Sequence, residues 1–154
     1  MAETGLKQEP SKVNRLICLT ITGYRRPGLG EEEYRYYMTK VHAPLVSSLM
    51  EEHGIIRYTM THNSSATRPM LSELYDPEFS KLSDYDCVVQ FVFKSLDDFK
   101  RMKADPRFLE KVAPDHVNFA DTKRSTQLYN LITSDMYYWY YFATNEAFLV
   151  SIVD

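Results

Sequence analysis

In the extended run 15–22, Ile17, Leu19 and Ile21 share one face and Leu16, Cys18, Thr20 and Thr22 the other. A strand with no charged residue on either side after its first position must be covered on both. Three further runs read as strands: 55–63, 85–93 and 122–132. Between the first two stands a long amphipathic helix, 31–53, and between the last two a shorter helix from a Ser95 cap through about 103, followed by a segment that starts at Pro106. Two strand-helix-strand units of this size predict an α+β fold, a ferredoxin-like four-stranded antiparallel sheet with helices on one face. Too few helices remain for the other face. The simplest cover is the same face of a second copy, which predicts a homodimer whose two sheets close into an α+β barrel.

Signals at the ends of the elements agree with this layout. Glu31, Glu32 and Glu33 place negative charge in the first turn of the long helix, as its dipole favours, and Gly54 is placed to end it. Asp97 and Asp98 do the same behind Ser95. The stretches 64–84 and 114–121, rich in Ser, Thr, Pro and Asp, read as loops.

The 154 residues make one domain, 15–132, preceded by a polar arm, 1–14, and followed by a tail, 133–154, that holds the aromatic run 136–142 and is expected to pack on the domain or on a partner copy. A net charge of −3 and a pI near 5.8 argue against nucleic acid as a partner. No apolar run has the roughly 18 residues of a membrane span, and the start has no signal-peptide core, so a cytoplasmic protein without membrane contact is expected. Cys18 and Cys87 lie in apolar strands without CxxC spacing and are expected to be reduced packing residues.

On a helical wheel Tyr34, Tyr37, Met38, Val41, Leu45 and Leu49 fall within one arc, with His42 just outside it at about 80° from Tyr34. Pro44 lacks a backbone donor and crowds the carbonyl of Lys40, so the turn holding His42 should be kinked or locally opened. A histidine at the edge of an apolar stripe, on a disturbed turn, is a candidate general acid-base group. His62 shares a strand face with Ile56, Tyr58 and Met60 and should be drawn inward. Asp86, at the head of the third strand, either caps a turn or orients a histidine. Tyr24, Tyr34 and Tyr58 are suited to stack on a flat substrate and bond its oxygens, or to fill the core. Asp115 and His116 follow Pro114, where an Asx-type turn with a surface histidine competes with a second acid-base group.

Other chemistries lack their signatures. There is no HxxxH pair, no carboxylate-histidine cluster at ligand spacing, no GxSxG elbow, no P-loop and no GxGxxG. Histidine acid-base chemistry is what remains. A barrel of this kind could also hold haem through His42 or His116, oxygenate an anthrone without a cofactor, or bind its ligand without turnover.

The segments Gly23-Tyr24-Arg25-Arg26-Pro27-Gly28, His42-Ala43-Pro44, Thr61-His62-Asn63, Asp84-Tyr85-Asp86-Cys87 and the stretch from Ala113-Pro114-Asp115-His116 to Asp121 together resemble the EthD-type dimeric α+β barrels. Within that group they are most similar to fungal decarboxylases that act on atrochrysone carboxylic acid in anthraquinone and xanthone pathways, over roughly residues 15–127. The resemblance implies a small aromatic polyketide acid as substrate, a homodimer, and no metal, flavin or nucleotide cofactor. On that footing His42 is the expected general acid-base residue and His116 the second. Asp86, Tyr58 and His62 would orient substrate or imidazoles, beside Tyr24 and Tyr34. Decarboxylation and dehydration draw on the same groups and stay open.

Overall fold

Four β-rich runs pair into one antiparallel sheet of order β2-β3-β1-β4 in a computed structural model that describes residues 16–73 and 83–132. The strands are β1 (Leu16–Gly23), β2 (Ile55–His62), β3 (Cys87–Phe93) and β4 (Thr126–Ile132). Because β1 and β2 are separated by β3, each strand-helix-strand crossover spans a neighbour, and the helices lie on one face. This is the expected ferredoxin-like arrangement. The predicted arm 1–14 and tail 133–154 lie outside the described residues.

Register decides which side chains meet the helices. Ile17, Leu19 and Ile21 stand opposite Phe93, Phe91 and Val89, and Tyr58 and Met60 stand opposite Phe91 and Val89 on the far side of β3. All of them join the main core, with Phe93 fully buried and stacked on Phe99 at 5.4 Å. The core therefore sits between this face and α1 (Glu31–Tyr36), α2 (Ala43–Glu52) and α4 (Leu96–Ala104). Ser95 caps α4 with a reciprocal pair of bonds to the Asp97 and Asp98 end of the helix, and Gly54 ends α2 at φ +78°, a conformation that favours glycine. Arg107 grips Glu52 in a two-pronged pair and also reaches Asp105, which in turn holds His53 at 3.1 Å, so the end of α2 is tied to the end of α4.

The opposite face differs from the apolar surface expected from β1. Cys18, Thr20 and Thr22 stand beside Val92, Gln90 and Val88, with Thr126, Leu128 and Asn130 on β4. Gln90 donates to Thr20 at 3.2 Å, and Thr22 and Thr126 share a hydrogen bond. Leu16, Cys18 and Val92 form a small buried cluster within this polar setting.

Two loop assignments and one strand start are corrected. Residues 64–84 contain a short helix, α3 (Arg68–Ser72). Residues 114–121 begin as helix, through α5 (Ala113–Asp115) and a 3-10 turn (His116–Asn118), because proline is well tolerated at the start of a helix. The start of the fourth predicted strand, 122–125, is instead a turn held by Asp121, whose side chain accepts from the amides of Lys123 and Arg124. Both cysteines are free and buried, and burial pushes the Cys87 thiol up to about 12. Among the described residues no helix is long and apolar enough to cross a membrane.

Candidate acid-base site

The helix that carries His42 changes pitch in its middle. Between α1 and α2 the six residues Tyr37–His42 form a π-helical turn, closed by the Ala43 amide on the Met38 carbonyl. Pro44 next in the chain has no N–H, so the carbonyls one turn earlier lack one donor, and the wider turn follows from it. A turn that holds an extra residue advances the inward face by one position. The buried residues are thus Tyr34, Met38, His42, Val46, Leu49 and Met50, while Leu45, expected inside, is 39 % exposed. The same shift takes His42 from the margin of the stripe into it, at 7 % exposed.

The chain repeats the device near its end. Phe108–Val112 forms a second π-helical turn, closed by Ala113 on the Phe108 carbonyl, just before Pro114. There Asp115 is delivered to the interior at 9 % exposed. Backbone bonds from Arg26 to Phe119 and from Asp121 to Tyr24, at 2.7 and 2.8 Å, fasten this segment to the chain leaving β1.

Asp115 is the centre of the site. Its Oδ2 lies 2.8 Å from His42 Nδ1, and its Oδ1 accepts from the Tyr37 hydroxyl at 2.6 Å and from the Asn118 amide at 2.9 Å. Burial alone would raise this carboxyl, but the three donors outweigh it and hold it below the usual carboxylate range. The bond to the carboxylate in turn keeps Tyr37 a phenol, above its ordinary value. Burial is the largest influence on His42 and lowers it; nearby His116 adds to this, Asp115 opposes it, and the net shift is downward. At neutral pH His42 is therefore an uncharged imidazole whose Nδ1–H donates to Asp115, which leaves Nε2 as the basic nitrogen.

Rings pack against that imidazole. Phe119 lies 4.6 Å from His42 and 5.6 Å from both Tyr37 and His116, centroid to centroid. His116 packs edge-on to His42 at 5.0 Å, and its Nδ1 lies 3.0 Å from the Ala113 carbonyl, so Nδ1 carries the hydrogen there. Tyr34 bridges Phe119 at 6.2 Å and His62 at 5.9 Å, so one aromatic wall joins the two ends of the site. His62 is half-buried, and its Nε2 has no hydrogen-bond partner among the described residues. Burial first, and the Arg35 cation second, hold it below its ordinary value.

Of the other expected residues, Asp86, Tyr24 and Tyr58 stand elsewhere. Asp86 is occupied by Arg25, through the amide at 2.9 Å and Nε at 3.6 Å, and by Arg68 at 3.5 Å; the carboxylate that holds His42 is Asp115. Tyr24 bonds Asp84 at 2.7 Å, and its ring face is covered by the Arg124 guanidinium at 4.0 Å. Tyr58 is core, packed on Phe91 at 4.8 Å, and burial raises its phenol. Tyr34 is also buried, its hydroxyl so close to Gly23 that a side chain there would meet it at 3.2 Å. The structure brings together His42, His116, Tyr34 and His62, and adds Asp115, Tyr37, Asn118 and Phe119. The Ala-Pro pair at 43–44, repeated at 113–114, was the sequence signal for Asp115. Among the described residues, no group of three or more His, Cys, Asp or Glu side chains could hold a metal ion.

Comparison with known proteins narrows the reading. The family described as EthD domain matches residues 26–123. Dehydratase aurZ of Gibberella zeae is 76% identical over 111 residues, 72% of this chain and 73% of that protein. The conidial pigment biosynthesis dehydratase EthD of Metarhizium robertsii is 72% identical over 73% of this chain and 79% of its own length. Decarboxylase claH of Passalora fulva is 51% identical over 72% of each. Among solved structures, an EthD family protein of Bacillus halodurans superposes with a TM-score of 0.51 at 14% identity, over 75% of this chain and 96% of that one. A dimeric protein of ferredoxin-like fold from Bacteroides fragilis gives a TM-score of 0.51 at 12% identity, over 77% and 97%. The last two speak to the fold alone.

Proposed function

The chain belongs to the EthD family, and on that premise we propose that it is a lyase of aromatic polyketide metabolism, with His42 as its general base. The observation that carries this is the buried, neutral His42 held through Nδ1 by Asp115 against an aromatic wall. Dehydration of a β-hydroxy ketone requires a base to take the proton beside the carbonyl. The C–H electrons form the new double bond, and the hydroxyl departs as water once an acid has protonated it. His42 Nε2 is the base, and His116, when it carries a proton on both nitrogens, keeps Nδ1–H on the Ala113 carbonyl and gives the Nε2 proton as the acid. The flat ring system lies against the aromatic wall that Phe119 and Tyr34 build, and the unpartnered His62 Nε2 bonds one of its oxygens.

The relatives at 76% and 72% identity are named dehydratases, which favours loss of water. Loss of carbon dioxide is the second reading, favoured by relatives named decarboxylases at 51% and 47%. A carboxylate β to a carbonyl leaves its bonding electrons on an enolate oxygen, and the same imidazoles return a proton to carbon. In both readings the reaction proceeds by acid-base chemistry without a cofactor.

Mass spectrometry of purified protein turning over atrochrysone carboxylic acid, scored separately for loss of water and of carbon dioxide, tests the assignment. Catalytic turnover is expected with EDTA present and oxygen excluded. Because the base must be neutral and its pKa is depressed, the rate should hold at neutrality and fall on the acid side only below about 6.5, the ordinary imidazole value. Stoichiometric binding without turnover, or an absolute need for oxygen, would overturn the lyase assignment.

The assembly proposed here is a homodimer in which the Thr- and Val-bearing face of the sheet closes on a second copy. Leu128, 59 % exposed beside Thr20, offers that contact an apolar side chain. Light scattering at micromolar concentration should then give twice the 18.0 kDa chain mass. A monodisperse monomer would remove the barrel.

A further inference from the structure

At the β4 edge of the helix-covered face, β4 and α4 leave an apolar groove of about 520 Å³ between them, lined by Ile17, Leu96, Phe99, Tyr129 and Leu131 and rimmed by Lys100 and Lys103. Its β4 wall is open: Tyr129 is 52 % and Leu131 61 % exposed. We propose that the occupant is the chain's own C-terminal segment, residues 133–154, which folds back along β4 and lays the aromatic run 136–142 into the groove.

Four features of the sequence and the fold support this. β4, which forms one wall of the groove, ends at Ile132, one residue before the segment. Ser134 and Asp135 are turn-forming residue types, as a reversal after β4 would require. Beyond them come Met136, Tyr137, Tyr138, Trp139, Tyr140, Tyr141 and Phe142, which in extended form reach about 23 Å, more than the roughly 14 Å length of α4. An aromatic run of that size left in water would be a strong association surface. Charge agrees as well. Residues 133–154 carry Asp135, Glu146 and Asp154 and no Lys or Arg, whereas the groove presents Lys100 and Lys103.

Trp139 is the only tryptophan of the chain and reports on the segment directly. In the full-length protein its emission should be blue-shifted and protected from acrylamide. Leu131→Lys should abolish both signs, and so should the double variant Lys100→Glu, Lys103→Glu, which changes only exposed side chains of α4 and guards against a misfolded β4. Neither variant touches the acid-base cluster, so turnover should stay at the parent level. A solvent-exposed Trp139 in the parent would overturn the proposal. So would protection that survives both variants, since the run would then pack elsewhere. Protection that disappears on dilution to the monomer would place the segment on a second copy and likewise overturn the placement within one chain.

Discussion

His42→Ala should lower turnover by at least about 10²-fold, the usual contribution of a positioned acid-base group, while circular dichroism and chain association stay unchanged. The size of the effect follows from the site. Asp115 on Nδ1 fixes the tautomer of His42, and burial keeps the ring uncharged, so Nε2 stands ready to accept a proton. His116, 5.0 Å away, has its Nδ1 on a backbone carbonyl and lacks such a partner. Activity within a few-fold of the parent would make His42 structural and move the base to His116.

Asp115→Asn should have an effect of similar size, again about 10²-fold or more, although Asp115 is a positioning residue. An amide can occupy the same space and still accept from Tyr37 at Oδ1. Its NH₂, however, would face Nδ1 of His42, favour the opposite tautomer and leave Nε2 protonated. The pH profile separates this from simple misplacement. Asp115 raises the His42 pKa through its hydrogen bond and its charge, so without that charge the imidazole pKa falls further. The acid limb of the rate should therefore move to lower pH as the maximum drops. An unshifted limb, or near-parent activity, would show that the carboxylate does not govern the imidazole.

Much of the architecture was legible along the chain, because alternation in strands and caps at helix ends are local signals. The doubled strand-helix-strand order, the acidic start at Glu31, the stop at Gly54 and the Ser95 cap each depend on residues a few positions apart. So does the disturbance at Pro44: a missing N–H acts one turn back, and the π-helical turn lies there. The wheel was wrong about Leu45 and understated His42 because it assumed constant pitch, and one inserted residue turns the downstream face.

The sequence by itself thus determined the sheet, its helix-covered face, the helix with its broken turn, and His42 as a reactive candidate. Only the tertiary structure decided which carboxylate serves that histidine. Asp86 and Asp115 are equally plausible in one dimension, each beside a strand or helix start, and 73 residues separate His42 from Asp115. The choice depended on where two crossovers come to rest on one sheet. The antiparallel register sends Asp86 to the arginines that follow β1 and begin α3, while the second Ala-Pro turn carries Asp115 to His42. Long-range packing of that kind leaves no local periodicity to read.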